Sequence, residues 1–183
     1  VLDLVCERLP AAYGFDPVKD IQVLCPSRLL ETGTVNLNNM LQSALNPHTS
    51  DKPQLPFKGI FFREGDKVMQ VKNNYDLQYR KDNGEYGTGV FNGDVGYITD
   101  IDRRGGILKV RFDDRVVTYF SEDLSQLEQA YAVTVHKSQG SEYDCVVLPL
   151  PAAGEDGRLN APFSAQRPEL AAVLDALRPG QVV

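Results

Sequence analysis

The chain has 183 residues, of which 42% are hydrophobic and 24% charged, and its net charge is −6. This length suits one ordinary domain, or one domain that carries a small insertion. The composition is typical of a folded globular protein and argues against a disordered chain. No apolar run approaches the ~20 residues that span a bilayer. The acidic balance argues against a dedicated nucleic-acid-binding domain, unless basic residues cluster locally.

Cysteine and histidine are scarce and scattered. Cys6, Cys25 and Cys145 lie far apart, there is no C-x-x-C pair, and the chain has two histidines. This pattern argues against a zinc site and favours reduced, buried thiols, as in a reducing cytoplasm. The N-terminus lacks a basic region followed by an apolar core, so we expect no secretory signal. The sequence therefore predicts a cytoplasmic protein without a metal site or a membrane partner.

The N-terminal segment predicts a helix followed by a strand. "VLDLVCERL" has apolar residues at helical spacing, and Pro10 and Gly14 are expected to end this helix. The apolar run at residues 21–25, closed by Pro26, predicts a buried strand.

A second helix is expected after this strand. Its apolar positions at helical spacing are Leu37, Met40, Leu41 and Leu45. Asn46-Pro47 is expected to stop it, because a proline disfavours helical backbone in the residue before it. A strand followed by a helix is the unit of an α/β sheet.

The hydrophobic period changes after the polar loop "HTSDKPQLPFKG". Short alternating runs, among them "ILKVRF" and "RVVTYF", predict four or five strands over residues near 60–125. Turn signals separate them, such as Asn92-Gly93, which suits positive φ, and an Asp-Asp turn. This segment predicts a small antiparallel β-barrel. Buried strands resume at "AYAVTV" and "CVVLPL", so the barrel is expected to be inserted into an α/β domain.

The last residues, 151–183, predict a linker rich in Ala, Pro and Gly, followed by a short helix over "RPELAAVLDALRPG".

The most informative segment is "AYAVTVHKSQGSEYDCVV", residues 130–147, because a polar stretch separates two apolar runs. Open α/β sheets bind their ligands at such loops, which follow the carboxyl ends of strands. Gly140 permits close backbone approach, and the Glu142 carboxylate suits ribose hydroxyls. Donors suited to phosphate oxygens come from Lys137, Ser138, Gln139 and Ser141. A capped turn without a ligand is the alternative that these residues alone leave open.

Together these segments resemble the second RecA-like domain of superfamily-one DNA helicases, in the RecD-like group that moves 5′ to 3′. The segment from Ala130 resembles their motif V, and "DIQVLCPSRLLETGTVNLNNMLQSALNP" resembles the opening of that domain. "FREGDKVMQVKNNYD" and "GVFNGDVGYITDID" resemble the segments that lead into their inserted SH3-like domain. Collinear matches over residues near 1–150 are more specific than a single "HKSQG".

The resemblance implies an α/β fold: a partial RecA-like domain with a parallel sheet and an inserted antiparallel SH3-like β-barrel. Residues 1–62 would be the first part of the RecA-like domain and 63–125 the barrel. Residues 126–150 would complete the RecA-like domain with motif V, while 151–183 stay unassigned.

The resemblance also implies site residues. Contacts with the backbone of a single DNA strand are implied for Thr134, His136, Lys137, Ser138 and Gln139. Asn73, Asn74 and Tyr75 are further candidates to face the strand. Nucleotide contacts are implied for Gly140, for Glu142 on the ribose, and for Arg28 near the phosphates, although Leu30 stands where the family commonly has glycine.

By this resemblance the chain is part of an ATP-dependent DNA helicase or translocase of recombination and repair. The implied ligands are single-stranded DNA and, in the full-length protein, ATP with Mg²⁺. The implied partners are the first RecA-like domain and nuclease or helicase subunits. Two motifs are missing from the sequence: a G-x-x-x-x-G-K-[ST] loop and, in residues 151–183, the family's arginine-bearing "YTA-x-TRA" segment. By itself, the 183-residue chain is therefore expected to bind neither ATP nor Mg²⁺ and not to hydrolyse ATP.

Two alternatives stay open. The first is a non-catalytic SH3-like module that docks a protein or a nucleic acid through Tyr75, Tyr79, Tyr86 and Phe91. The second is the helicase part of a conjugative relaxase.

Overall fold

The structure is a computed structural model that describes residues 1–29 and 31–149. The described residues divide into two compact units, one formed by residues 1–45 and 131–149, the other by residues 46–130. The helix predicted within residues 167–180 lies outside the described residues.

The described residues form short helices and strands, numbered in chain order. The helices are α1 (Leu9–Tyr13) and α2 (Thr34–Leu45). The strands are β1 (Ile21–Cys25), β2 (Gln54–Phe57), β3 (Ile60–Arg63), β4 (Lys67–Gln70), β5 (Asn74–Lys81), β6 (Tyr86–Val90), β7 (Val95–Asp102), β8 (Ile107–Phe112), β9 (Arg115–Tyr119), β10 (Leu127–Gln129), β11 (Ala132–Thr134) and β12 (Cys145–Val147). One π-helical turn spans Leu4–Arg8, and 3₁₀ turns span Leu124–Gln126 and Val135–Ser138.

The first unit contains a parallel sheet with β1 between β11 and β12. Cys25 lies opposite Thr134, and Ile21 lies opposite Cys145. Every residue of β1 is buried, as expected for the central strand of a sheet covered on its faces. The buried strands predicted at residues 21–25 and within "AYAVTV" are confirmed, as is a buried strand over the first three residues of "CVVLPL", and so is the α/β class.

Helix α2 ends at Leu45 as predicted. However, Met40, which falls at helical spacing with the other apolar positions, does not lie on the buried face. Leu37 and Leu41 are buried, whereas Met40 is 41% exposed. At 3.6 residues per turn, the inward stripe that includes residues 37 and 41 also takes in Asn38 and Gln42. Polar side chains therefore occupy part of the buried face, and Met40 lies outside it.

The N-terminal helix also corrects the prediction for Pro10. The π-helical turn leads directly into α1, with the Leu9 N–H donating to the Leu4 carbonyl. Pro10 is the second residue of α1, where a helix tolerates a missing N–H. Gly14 ends the helix as predicted: its φ is 74°, and its N–H donates to the Pro10 carbonyl at 2.9 Å.

The second unit is an antiparallel sheet in the order β10-β4-β7-β8-β9-β5-β6, accompanied by a hairpin of β2 and β3. Its core includes Phe62, Phe112 and Tyr119, all at most 1% exposed. The predicted turns are present, with Gly93 at φ 99° and Asp113 at φ 49°. The antiparallel strands predicted over residues near 60–125 are present, but that range contains seven strands, β3 to β9, rather than four or five. The segment predicted as a polar loop also contains β2, which pairs with β3.

Neither a membrane-spanning helix nor a metal-binding cluster occurs among the described residues. No helix in residues 1–29 and 31–149 combines the length and apolar character needed to cross a membrane. In the same residues, no three side chains of His, Cys, Asp or Glu group in a way that would hold a metal ion.

The cysteine thiols differ in burial, and this predicts different rates of chemical modification. Burial raises the pKa of Cys25 to about 12, and Cys25 is fully buried, whereas Cys6 is partly exposed. Because only the thiolate reacts, we expect iodoacetamide at about pH 8 to modify Cys6 much faster than Cys25. Mass spectrometry of tryptic peptides measures both rates. In urea the two rates should converge, and rapid labelling of Cys25 in the native chain would contradict its burial.

Candidate functional site

The polar segment Thr134–Glu142 starts at the carboxyl edge of the parallel sheet. Because β11 and β1 are parallel and Thr134 lies opposite Cys25, the chain leaves both strands at the same edge. Arg28, in the segment after β1, is exposed at this edge. The topology thus places two of the sequence-predicted regions on the edge where open α/β sheets bind ligands.

A 3₁₀ turn shapes the first half of this segment. Thr134 precedes the turn with extended backbone, and its hydroxyl oxygen accepts from the Lys137 N–H at 3.4 Å. The Ser138 hydroxyl is buried and donates to the Val135 carbonyl at 2.8 Å. Both hydroxyls are therefore engaged in holding the turn.

The remaining predicted residues of this segment face outward. His136, Gln139, Gly140 and Glu142 are exposed, and Lys137 is half-buried. Val135 and Ser138 are buried, so they anchor the turn on the unit. The loop thus alternates between anchoring residues and residues that can reach a ligand.

Asn38 of α2 fixes the strand that carries this loop. Its Nδ2 donates to the Ala132 carbonyl at 2.8 Å, and its Oδ1 accepts from the Ala132 N–H at 2.9 Å. From β1, Gln22 adds a hydrogen bond from its Nε2 to the Tyr131 carbonyl at 3.2 Å. Sequence reasoning missed both residues. The signal for Gln22 was a polar side chain inside the run 21–25 that the apolar pattern predicted as buried, whereas Asn38 lay outside the predicted apolar face of its helix.

Tyr143 was also missed, although it follows the predicted segment directly. Its hydroxyl oxygen is buried. Burial raises the pKa of this hydroxyl.

In the second unit, the consecutive residues Asn73, Asn74 and Tyr75 differ in their exposure and hydrogen bonding. The Asn74 Oδ1 accepts from the N–H groups of Asp76 and Leu77, and its Nδ2 donates to Gln126 Oε1 at 3.0 Å. Asn74 is therefore engaged within the unit. Asn73 is exposed, and Tyr75 is 66% exposed, so these two side chains can contact a ligand.

Two stretches of the chain match models of helicase domain families. Residues 37–112 match the ATP-dependent RecD-like DNA helicase SH3 domain. Residues 129–160, which include the candidate loop, match the UvrD-like helicase C-terminal domain.

Curated relatives agree with these matches. The chain is 35% identical over 127 residues to an ATP-dependent RecD2 DNA helicase of Deinococcus radiodurans, covering 69% of this chain and 16% of that protein. It is 31% identical over 138 residues to the RecBCD enzyme subunit RecD of Mycobacterium tuberculosis, covering 75% of this chain and 21% of that protein. The chain therefore spans about a fifth or less of the length of these relatives.

A solved structure supports the fold. A Pif1 helicase from Bacteroides, crystallised with ADP-AlF3 and ssDNA, aligns with 100% of this chain and 44% of its own, with a TM-score of 0.52 and 17% identity. At this identity the likeness concerns the fold alone.

Gly140 offers a test of the loop's backbone. Its φ is 84°, and a Cβ built on it would meet no atom within 4 Å. We expect Gly140→Ala to lower the free energy of unfolding by about 1–2 kcal/mol, because left-handed backbone disfavours an L side chain. Urea unfolding measures this change.

Gly14→Ala is the matched control, since Gly14 has a φ of 74° and equally open surroundings. Both variants should lose a similar amount. A much larger loss at residue 140 than at residue 14 would contradict the open surroundings of the loop.

Proposed function

Because the chain belongs to the RecD-like DNA helicases, we propose that its segment 134–142 holds single-stranded DNA and contacts the nucleotide in such an enzyme. The observation that carries this proposal is the position of the loop. It leaves the carboxyl edge of a parallel sheet, it is anchored by buried residues, and it presents polar side chains outward. One short loop could then bind both ligands.

The DNA-facing half of the loop comprises residues 134–139. Among them we assign outward contacts with the strand's phosphates to His136, Lys137 and Gln139. The hydroxyls of Thr134 and Ser138 are already bonded within the turn, so we propose that these two residues maintain the shape of the DNA-facing surface. Contacts of this kind are independent of base sequence and weaken with salt.

The nucleotide-facing half comprises Gly140 and Glu142, with Arg28 at the same sheet edge. Phosphoryl transfer needs a phosphate cradle, a metal ion and an arginine that stabilises charge. In the complete enzyme, ATP with Mg²⁺ would supply the reacting phosphates. These residues could add one wall, with the Glu142 carboxylate on the ribose and the Arg28 guanidinium near the phosphates. A first RecA-like domain would supply the phosphate loop.

The second unit, residues 46–130, is proposed to act as the family's inserted SH3-like domain, with Asn73 and Tyr75 on the DNA. The Mycobacterium relative is named as a subunit of the RecBCD enzyme, so nuclease or helicase subunits are candidate partners.

A second candidate function is a docking module for a protein partner. The exposed rings of Tyr75, Tyr86 and Phe91, at 66%, 76% and 41%, favour it, as does the acidic net charge. A chain that binds a protein but no single strand would establish this alternative.

DNA binding is tested by titrating the chain into a fluorescent thymidine oligonucleotide and following anisotropy. We expect weak binding that decreases with salt, and a Kd raised at least about threefold in Lys137→Ala/Gln139→Ala, because two polar contacts are lost.

Lys19→Ala/Asn39→Ala is the control, because both residues are exposed and Lys19 precedes the opposite end of β1. It should bind like the unaltered chain. Equal affinity of the two double variants would contradict the assignment of the loop to the strand.

ATP hydrolysis provides a separate test. Since the sequence lacks the phosphate loop, we expect the isolated chain to release no phosphate above background, with or without single-stranded DNA. A malachite-green assay measures the release. Strand-dependent turnover by the purified chain would overturn the proposal that another domain supplies the cradle.

A further inference from the structure

Two exposed aromatic rings lie together on the second unit. Tyr75 and Phe91 are 66% and 41% exposed, although the unit buries Phe62, Phe112 and Tyr119 completely. The ring centroids of Tyr75 and Phe91 are 5.6 Å apart and their planes form an angle of 72°. This edge-to-face geometry stabilises the pair while leaving ring surface in contact with solvent.

The buried residue Gln70 connects the two segments that carry these rings. Its N–H donates to the Asp94 carbonyl and its carbonyl accepts from the Gly93 N–H, both at 2.9 Å. Its side-chain Nε2 donates to the Lys72 carbonyl at 2.9 Å. One residue with no exposed surface therefore fixes the chain on both sides of the pair.

Gln126 extends this network to the start of β5. Its Oε1 accepts from Gln70 Nε2 and from Asn74 Nδ2, each at 3.0 Å. Asn73 adds a direct link, because its Oδ1 accepts from the Asn92 N–H at 2.9 Å. The segments at residues 73–75 and 91–94 are thus joined by several hydrogen bonds, which hold the two rings ready before any ligand arrives.

Residues with hydrogen-bond donors lie close to the two aromatic residues along the chain. The Asn73 Nδ2 makes no hydrogen bond within the part of the chain that the structure describes, since only its oxygen is used. Lys72 and Asn92 are exposed. Rings for a base, beside a cation and amide donors for a phosphate, form the combination by which proteins bind single strands.

We propose that Tyr75 and Phe91 form one nucleobase-stacking subsite for single-stranded DNA, held in place by Gln70 and Gln126. This inference rests on the proposed function. It adds Phe91 to the site, and it names the base, rather than the phosphate, as the group recognised there.

The test compares a fluorescent thymidine strand of about 12 nucleotides with an abasic strand of the same length and charge, using the full chain. We expect Tyr75→Leu and Phe91→Leu each to weaken thymidine binding about fivefold or more, because stacking on one base is lost, and to leave abasic binding unchanged. Phe120→Leu is the matched control, as Phe120 is 48% exposed, and it should change neither affinity.

The loop variant Lys137→Ala/Gln139→Ala separates the two proposals, because it should weaken both strands alike. If it does so while the two aromatic variants change nothing, the subsite is wrong and the proposed function stands. If the aromatic variants weaken both strands equally, base stacking is overturned. If the unaltered chain binds neither strand at low salt, the subsite and the proposed function both fail.

Hydrogen exchange tests the supporting network independently of DNA. Gln126→Met keeps a similar volume but removes the acceptor for Gln70 and Asn74. We expect faster exchange at residues 73–77 and 91–94, unchanged exchange in β8, and weaker thymidine binding. Unchanged exchange near the rings would overturn the role of Gln126. Faster exchange with unchanged thymidine binding would show that the subsite does not need the hydrogen bonds of Gln126. It would overturn the proposal that Gln126 holds the two rings in place.

Discussion

Two hydrogen bonds between the Asn38 carboxamide and the backbone of Ala132 fix the position of the candidate loop. β11 spans residues 132–134 and has β1 on one side, so its other edge would leave backbone groups without partners. Asn38 satisfies one donor and one acceptor on that edge, at 2.9 and 2.8 Å. Leaving such buried groups unpaired would cost about 1–3 kcal/mol each, so the helix and the strand hold each other in place.

The second unit uses the same physical device. The buried, neutral carboxamide of Gln70 donates to the Lys72 carbonyl and to Gln126 Oε1 and accepts from the Tyr119 hydroxyl. The backbone N–H and carbonyl of Gln70 pair with Asp94 and Gly93. A neutral amide loses less hydration free energy on burial than an ion, and it can satisfy both kinds of backbone group. Exposed ion pairs such as Lys109–Asp100 contribute little by comparison. In each unit, therefore, a buried amide rather than a salt bridge orients the surface assigned to ligand.

The apolar pattern predicted β1, and the Asn92-Gly93 dipeptide predicted the turn at Gly93, because burial and positive φ each favour particular residue types. It could not predict Asn38, since periodicity shows which helix face is buried but not which polar atom meets it there. Pro10 misled the prediction because a preceding π turn changes which N–H groups a helix needs. The outward side chains of the loop came from a family resemblance. The bonded hydroxyl of Ser138 required the fold, because only three-dimensional structure shows where a hydrogen bond is made.

The arrangement of the loop has a consequence for coupling between its two proposed ligands. Ser138 and the strand Cys145–Val147 are buried, and between these two fixed points residues 139–142 and Asp144 are exposed. Gly140, with left-handed backbone and open surroundings, lies among these exposed residues. The Ser141 N–H donates to the Ser138 carbonyl at 3.0 Å, so a shift of Glu142 toward a nucleotide would act on the turn that carries Gln139. On the proposed function, nucleotide and DNA would be coupled through adjacent residues of one loop, so no long pathway through the core is needed.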